Sequence, residues 1–183
     1  IFVNRPLNFL SWISNDLSFI VTPKDRNYYE IYAKYMAQSW RHGAVVLPSR
    51  FMSNNKSSKV YAYRFDWDEQ PSYFGADLPV LLGAAHAMEI PFVFKNASLL
   101  GESNDYISSI IYDEDNRQVD LALSDEISEY WVNFAYDGNP NNFPYEKTTE
   151  WLNWDSKNDT ERFIVLDTSN DKGIAMFNNT DSV

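Results

Sequence analysis

The chain has 183 residues, 44% of them hydrophobic and 16% aromatic, and a formal net charge of −11. The aromatic content excludes an intrinsically disordered chain, the length fits about one domain, and the scattered Lys and Arg residues argue against nucleic acid as a partner. The acidity is typical of a solvated, soluble surface, with steering of cationic ligands as the alternative. No apolar run approaches the roughly 20 residues that span a bilayer. With no cysteine and two distant histidines, the sequence predicts no disulfide, no metal site and no cofactor.

The first predicted element is a helix. Residues 7–20 have only a partial helical spacing of their apolar side chains. From Tyr28 to Trp40, apolar residues recur at three- and four-residue steps, which predicts a helix with one apolar face. Asp25 is its predicted N-cap and Gly43 its predicted C-terminal stop. His42, next to that stop, is predicted to be structural, because a helix C-terminus favours a histidine.

Strands and a loop are predicted in the middle of the chain. Val60–Trp67 alternates its side chains and is rich in aromatic residues, which predicts a strand. A polar stretch containing Pro71 then leads to a small-residue turn around His86. The short aromatic and β-branched run Phe92–Phe94 after this turn predicts a buried strand. A loop at the edge of a rigid sheet is a usual position for catalytic side chains.

The last third of the chain is predicted to contain a helix and a strand. The helix extends from Leu123 to Tyr136, with Ser124 as its cap and turn residues at 137–141 as its stop. Its buried stripe is predicted to consist of Ile127, Tyr130, Trp131 and Phe134. The strand is Phe163–Asp167. The order helix, strand, loop, short strand, helix, strand predicts an α/β domain.

The segment around His86 carries the most specific pattern. Residues 84–94 read AAHAMEIPFVF. This resembles the histidine segment of the type-B carboxylesterase/cholinesterase family, whose pattern is roughly G-x-x-H-[GA]-x-E-[LI]-P-[FY]-V-F. Histidine followed by alanine, together with the absence of cysteine, resembles the bacterial, para-nitrobenzyl-esterase-like members most closely.

Three further segments resemble the same family in the expected order. Residues 60–66, VYAYRFD, resemble the strand that precedes the family's histidine. Residues 124–141, SDEISEYWVNFAYDGNPN, resemble its YW-x-NFA helix and the G-x-PN stop. Residues 151–154, WLNW, occupy the position of its W-P-x-[YW] segment, with Leu152 where proline is usual. Together these motifs extend the resemblance over roughly residues 28–167.

The resemblance implies an α/β-hydrolase fold with a triad in the chain order Ser, then Glu or Asp, then His. It implies that His86 is the general base and that Glu89 has a hydrogen-bonding role behind the active site. The nucleophile is expected in a G-x-S-x-G elbow, which this chain lacks. Ser103 follows the histidine and lacks the closing glycine, so we expect a loop serine there.

We therefore expect residues 1–183 to be the C-terminal portion of an α/β-hydrolase domain, supplying the last strands of a mostly parallel sheet and their flanking helices. The nucleophile and the acid are expected on an N-terminal part of the same protein that precedes Ile1. The predicted function is hydrolysis of a small-molecule carboxylic ester by a serine esterase, in a soluble protein that is cytoplasmic or exported and has no membrane span. The isolated chain is predicted to be inactive.

Two alternatives remain open from the sequence. One is a non-catalytic, cholinesterase-like module for binding or adhesion, which the retained histidine disfavours. A G-E-S-A-G elbow upstream would indicate the enzyme, and its absence would indicate the binding module. The other alternative is an unrelated acidic α/β domain in which the motif matches are coincidental.

Overall fold

The computed structural model describes residues 13–15, 21–23, 25–54, 59–73, 76–96, 110–145, 149–154 and 161–178. In this part of the chain the helices and strands follow in the order β1 (Ile13–Asn15), β2 (Val21–Pro23), α1 (Arg26–Arg41), a π-helical segment (His42–Val46), α2 (Leu47–Ser53), β3 (Tyr63–Phe65), α3 (Leu78–Leu81), α4 (Ile90–Val93), α5 (Arg117–Asp137), β4 (Arg162–Leu166) and β5 (Ala175–Asn178).

The described strands form a hairpin and a mixed sheet. β1 and β2 pair antiparallel. β1 lies within residues 7–20, where the partial helical spacing did not define an element, and the rest of that segment lies outside the described residues. The sheet has the order β3-β4-β5, with β3 and β4 parallel and β4 and β5 antiparallel. In this sheet β3 is an edge strand, paired on one side among the described residues.

Helices cover both faces of this sheet. On one face, Phe65, Ile164 and Leu166 pack with residues of α4 and α5 in a cluster that includes Phe92, Ile127 and Tyr130. On the other face, Ala62, Phe163 and Val165 pack with Val46 of the π-helical segment and with Trp154. Successive strand residues point to opposite faces, which explains why neighbours in the sequence belong to different clusters. Layers of helices on both sides of parallel strands are the arrangement of α/β domains.

Helix α1 begins where the sequence predicted and continues where a stop was predicted. The Asp25 side chain accepts a hydrogen bond from the Tyr28 N–H at 3.0 Å, which confirms the N-cap. The prediction that Gly43 ends the helix is wrong, because the chain continues through the π-helical segment into α2. Glycine in a helix interior costs about 1 kcal/mol, a preference that tertiary packing can override. Here the continuation buries Val46, which is 1% exposed.

The apolar face predicted for α1 is exposed within the described part of the chain. Ile31 and Tyr35 on that face are 68% and 67% exposed, whereas Tyr29 and Ala33 on another side of the helix are buried. The Tyr29 hydroxyl donates to the Leu81 carbonyl at 2.7 Å, which fixes the buried side against α3. The periodicity thus predicted the helix correctly, but the apolar side of this helix faces away from the described core and is exposed.

The strand predicted at Phe92–Phe94 is wrong, because these residues belong to α4 and to its end. Pro91 lies in the first helical turn, where its missing N–H is tolerated. Phe92 is fully buried, with its ring 5.2 Å from Phe65, while Phe94 is 76% exposed. A short apolar run has no periodicity that separates a strand from a buried helix, so its composition was misleading.

Helix α5 begins earlier than predicted and ends as predicted. Its N-cap is Asn116, and Ser124 lies buried in the second helical turn, so the predicted cap at Ser124 is wrong. The Ser124 hydroxyl instead donates to the Phe92 carbonyl at 2.8 Å and ties α4 to α5. Gly138, with φ 65°, donates its N–H to the Phe134 carbonyl and ends the helix, as the turn residues predicted.

The other two predicted strands are confirmed in position, and the first of them is shorter than predicted. β3 covers the centre of the predicted strand Val60–Trp67, and β4 coincides with the predicted Phe163–Asp167 to within one residue at each end. Backbone hydrogen bonds continue beyond β3, since the Ile164 N–H donates to the Ala62 carbonyl at 3.1 Å. β5, which no sequence pattern predicted, pairs with β4 as the third described strand of this sheet.

Buried carboxyl groups lie at the carboxyl ends of β3 and β4. Asp167 is 1% exposed, and the Thr168 N–H donates to its Oδ1 at 2.9 Å. Asp120 on α5 is equally buried and accepts a hydrogen bond from the Trp67 indole at 2.7 Å. Burial raises the pKa of Asp120 to about 6 and that of Asp167 to about 7. The hydrogen bonds from Trp67 and Thr168 lower these pKa values, and the negative charge of Glu69 raises them further.

We predict that Asp167→Asn stabilises the complete protein at pH 8 and flattens its pH dependence. The pKa of Asp167 in the folded state is about 7, against an ordinary value of 3.8. The folded state therefore holds this proton more tightly, and the free energy of unfolding falls as the pH rises from about 4 to 7. Asparagine stays uncharged, so the gain at pH 8 should be on the order of 1 kcal/mol, with little change at pH 4.

Urea unfolding at a series of pH values measures this effect. Asp115→Asn, at an exposed carboxylate before α5 that is not among the charges acting on Asp167, is the matched control and should keep the parental pH slope. A parental slope in Asp167→Asn would contradict the prediction.

Candidate active site

His86 lies on a tight turn between α3 and α4, and its side chain is exposed. The turn is closed by backbone hydrogen bonds from the Ala85 N–H to the Gly83 carbonyl at 2.8 Å and from the Met88 N–H to the Ala85 carbonyl at 3.2 Å. Ala87, directly after the histidine, has φ 70°. A non-glycine residue in this left-handed region costs roughly 1–2 kcal/mol, and such strain concentrates at functional sites. Ala87 occupies the position at which the family motif has Gly or Ala. A larger, β-branched side chain is unfavourable there, because the backbone is left-handed.

Gln70 braces the turn on both sides of His86. Its side chain is 3% exposed, and its Nε2 lies 2.9 Å from the Gly83 carbonyl oxygen and 3.4 Å from the Met88 sulfur. Gly83 begins the turn and Met88 ends it, so one buried amide group joins both ends. The sequence analysis missed Gln70, because it lies in a polar stretch with no motif of its own.

Glu89 lies three residues after His86 and receives a hydrogen bond from strand β3. The Tyr63 hydroxyl donates to the Glu89 Oε1 at 3.3 Å. Burial, followed by the charge of Glu89 and its hydrogen bond, raises the pKa of Tyr63 to about 12. The phenol therefore stays protonated, and remains a donor, at neutral and mildly alkaline pH. Tyr63 is the second contact residue that the sequence analysis did not identify.

A cavity of about 280 Å³ lies beside the turn. The turn contributes Ala84, Ala85 and Glu89 to its wall, β3 and the residues before it contribute Tyr61 and Tyr63, and the π-helical segment and α2 contribute mostly apolar side chains. His86 is not among the lining residues. The cavity therefore contacts the back of the turn, on which Glu89 lies.

Other candidate groups are outside this site or outside the described residues. Ser103 lies in a stretch that the structure does not describe. His42 is exposed and lies at the junction of α1 and the π-helical segment. Among the described residues, no group of three or more His, Cys, Asp or Glu side chains could hold a metal ion, and no helix is long and apolar enough to cross a membrane.

We predict that Gln70→Leu loosens the turn and leaves the sheet intact. The substitution removes the donor from the buried Gly83 carbonyl, a loss of about 1–3 kcal/mol. Amide hydrogen exchange at Met88 should then become about tenfold faster or more, while the amides of β4 keep their protection. Gln118→Leu, the same change at an exposed position on α5, is the control. Unchanged exchange at Met88 in Gln70→Leu would show that the brace is not needed.

Comparison with known proteins gives a consistent result. The profile of the carboxylesterase family matches residues 7–181. The acylcarnitine hydrolase of Rattus norvegicus is 30% identical over 125 residues, which are 67% of this chain and 19% of that protein. The para-nitrobenzyl esterase of Bacillus subtilis is 33% identical over 109 residues, which are 59% of this chain and 18% of that protein. The chain thus spans about a fifth of the length of these curated relatives.

A solved structure gives the fold. The carboxylesterase of Geobacillus stearothermophilus superposes with a TM-score of 0.56 at 21% identity, over 84% of this chain and 26% of that one. The predicted fold class is therefore confirmed as a region of an α/β-hydrolase fold. With the family profile covering nearly its whole length, the chain belongs to the carboxylesterase family.

Proposed function

We propose that the complete protein containing this chain hydrolyses small-molecule carboxylic esters through an acyl-enzyme, with His86 as the general base. The observation that supports this most directly is the presentation of His86. Its side chain is exposed on a turn with a left-handed residue beside it, and the buried Gln70 side chain contacts both ends of that turn. Family membership supports the reaction class.

His86 has two roles in this reaction. Imidazole accepts and returns a proton near neutral pH. His86 takes the proton of the serine hydroxyl as the oxygen attacks the ester carbonyl, and it gives that proton to the departing alcohol. In the second half of the cycle it takes a proton from water, which attacks the acyl-enzyme, and returns it to the serine as the acid leaves.

The nucleophile and the acid of this triad belong, in our proposal, to an N-terminal part of the protein, and residues 1–183 form the C-terminal portion of the domain. The chain contains no G-x-S-x-G elbow, the motif that holds the nucleophile in this fold. Glu89 is not proposed as the acid, because it lies only three residues after His86 and its carboxylate binds Tyr63. Its proposed role is to hold the turn from behind. The bacterial origin stays a prediction.

The same N-terminal part is proposed to cover two surfaces of this region. One is the apolar face of α1 and α2, where Ile31 and Tyr35 are 68% and 67% exposed and Phe51 is 83% exposed. The other is the edge of β3 that has no strand beside it among the described residues. A parallel strand in an α/β sheet is usually paired on both sides and covered by helices.

We predict that His86→Ala in the complete protein lowers the turnover of an aryl acetate by about three orders of magnitude or more, as loss of a triad member does. His42→Ala is the matched control, because it removes the other, exposed histidine from a helix junction. Its turnover should equal that of the parent. Near-normal turnover by His86→Ala would refute the role of His86, and a complete protein without any esterase activity would favour the binding or adhesion module.

We predict that the isolated 183-residue chain self-associates and is not labelled by a fluorophosphonate. Uncovered apolar patches of more than a few hundred Å² promote association, and no activated serine is expected in this chain. Size-exclusion chromatography with light scattering tests the first statement, and mass spectrometry after labelling tests the second. A monodisperse monomer that unfolds cooperatively would contradict the proposed N-terminal cover.

A further inference from the structure

We infer that Tyr63 is a positioning residue for ester hydrolysis: by holding the carboxylate of Glu89, it fixes the turn that carries His86. This inference rests on the proposed function, since it assigns a task to Tyr63 within the same site. It is carried by three observations: the contacts of the Tyr63 ring with two tryptophans, the hydrogen bond of Tyr63 to Glu89 and the conformation of the turn.

The ring of Tyr63 packs edge to face against two tryptophans. Trp131 of α5 meets it edge to face, with ring centroids 5.0 Å apart and an interplanar angle of 73°. Trp151 meets it at 6.4 Å and 82°. Edge-to-face contact is a preferred geometry for aromatic pairs, and two such contacts from different segments restrict both the tilt and the rotation of the ring. The hydroxyl therefore points in a direction set by the core.

Trp151 is itself anchored to the strand. Its indole N–H donates to the Ala62 carbonyl at 2.9 Å, next to Tyr63 in the chain. Its backbone N–H donates to the Asn141 side chain at 2.8 Å, and the Asn141 amide donates back to the Trp151 carbonyl at 2.9 Å. The turn after α5, the tryptophan and the strand are thus one hydrogen-bonded unit that presents Tyr63.

The other end of the contact is Glu89, the N-cap residue of α4. Its side chain makes no capping hydrogen bond to its own helix. The carboxylate instead accepts from Tyr63, and the Glu89 carbonyl accepts the Val93 N–H at 3.0 Å. The position of Glu89 therefore affects both the turn before it and the helix after it. Since Ala87 between His86 and Glu89 has φ 70°, the turn is strained and needs such external contacts to keep one conformation.

Removal of the hydroxyl alone tests the inference. In the complete protein, Tyr63→Phe keeps the ring between the two tryptophans and deletes the donor. The kcat for an aryl acetate, and the rate constant for labelling of the active serine by a fluorophosphonate, should both fall about tenfold, because small misplacements of catalytic groups have effects of this size. The KM should stay the same and the Tm should change little.

The matched control is Tyr130→Phe. Tyr130 belongs to the same aromatic cluster, and its ring centroid lies 5.6 Å from that of Trp151. Its hydroxyl donates to the Thr149 carbonyl at 2.6 Å, so the substitution deletes a tyrosine hydroxyl that does not contact the turn. Tyr130→Phe should lower the Tm and leave kcat and the labelling rate at the parental values. An equal loss of rate in both variants would overturn the inference, as would parental rates in Tyr63→Phe.

A double variant tests whether Tyr63 acts through Glu89. Because the two residues share one contact, Tyr63→Phe combined with Glu89→Ala should be no slower than Glu89→Ala alone. Multiplied losses in the double variant would show that Tyr63 acts by another route and would overturn the inference. His86→Ala separates the two proposals: if it stays active, the proposed function fails, and if it is inactive while Tyr63→Phe is normal, only the role of Tyr63 fails.

Discussion

The parallel pairing of β3 with β4 fixes the geometry on which the rest of this region depends. In the observed register Tyr63 lies opposite Ile164 and Phe65 opposite Leu166. Tyr63 and Phe65 therefore point to the face covered by α4 and α5, where Phe65 contacts Phe92 of α4 and Tyr63 reaches Glu89. A shift of the pairing by one residue would turn both side chains to the opposite face. The turn that carries His86 would then lose its contact with the strand.

Local signals in the sequence were sufficient for several elements of the fold. Asp25 as a cap, Gly138 as a stop and the strand around Ile164 each depend on neighbouring residues, and the structure confirms them. The continuation of α1 past Gly43 and the helix at Phe92 depend on burial against distant parts of the chain. Such packing outweighs a preference of about 1 kcal/mol, so composition alone gave the wrong result there.

In the candidate site, too, residues within a local motif were predicted and residues that contact the turn from distant segments were not. His86 and Glu89 were predicted as site residues because a contiguous motif contains both, and this assignment stays a prediction. Gln70 contacts the turn from 13 residues away, and Tyr63 contacts Glu89 from 26 residues away. No sequence spacing connects Gln70 or Tyr63 to the histidine. Their contacts with the turn form only when the strand, the tryptophans and the turn pack together. Side chains that support a site are therefore harder to predict from one sequence than those that carry its chemistry.

An exposed histidine on a strained turn can serve as a base only if the turn keeps one conformation. The proposed role of His86 requires an exposed side chain, and the turn that carries this side chain must be held by other parts of the chain. Side chains from three other segments hold the turn and the helix that follows it. Gln70 contacts both ends of the turn, Tyr63 donates to Glu89, and Ser124 donates to the Phe92 carbonyl of α4. Gln70 and Ser124 are buried, so water competes little for their hydrogen bonds. The rigid part of this site is thus the core beneath it, and the histidine at the surface takes its position from that core.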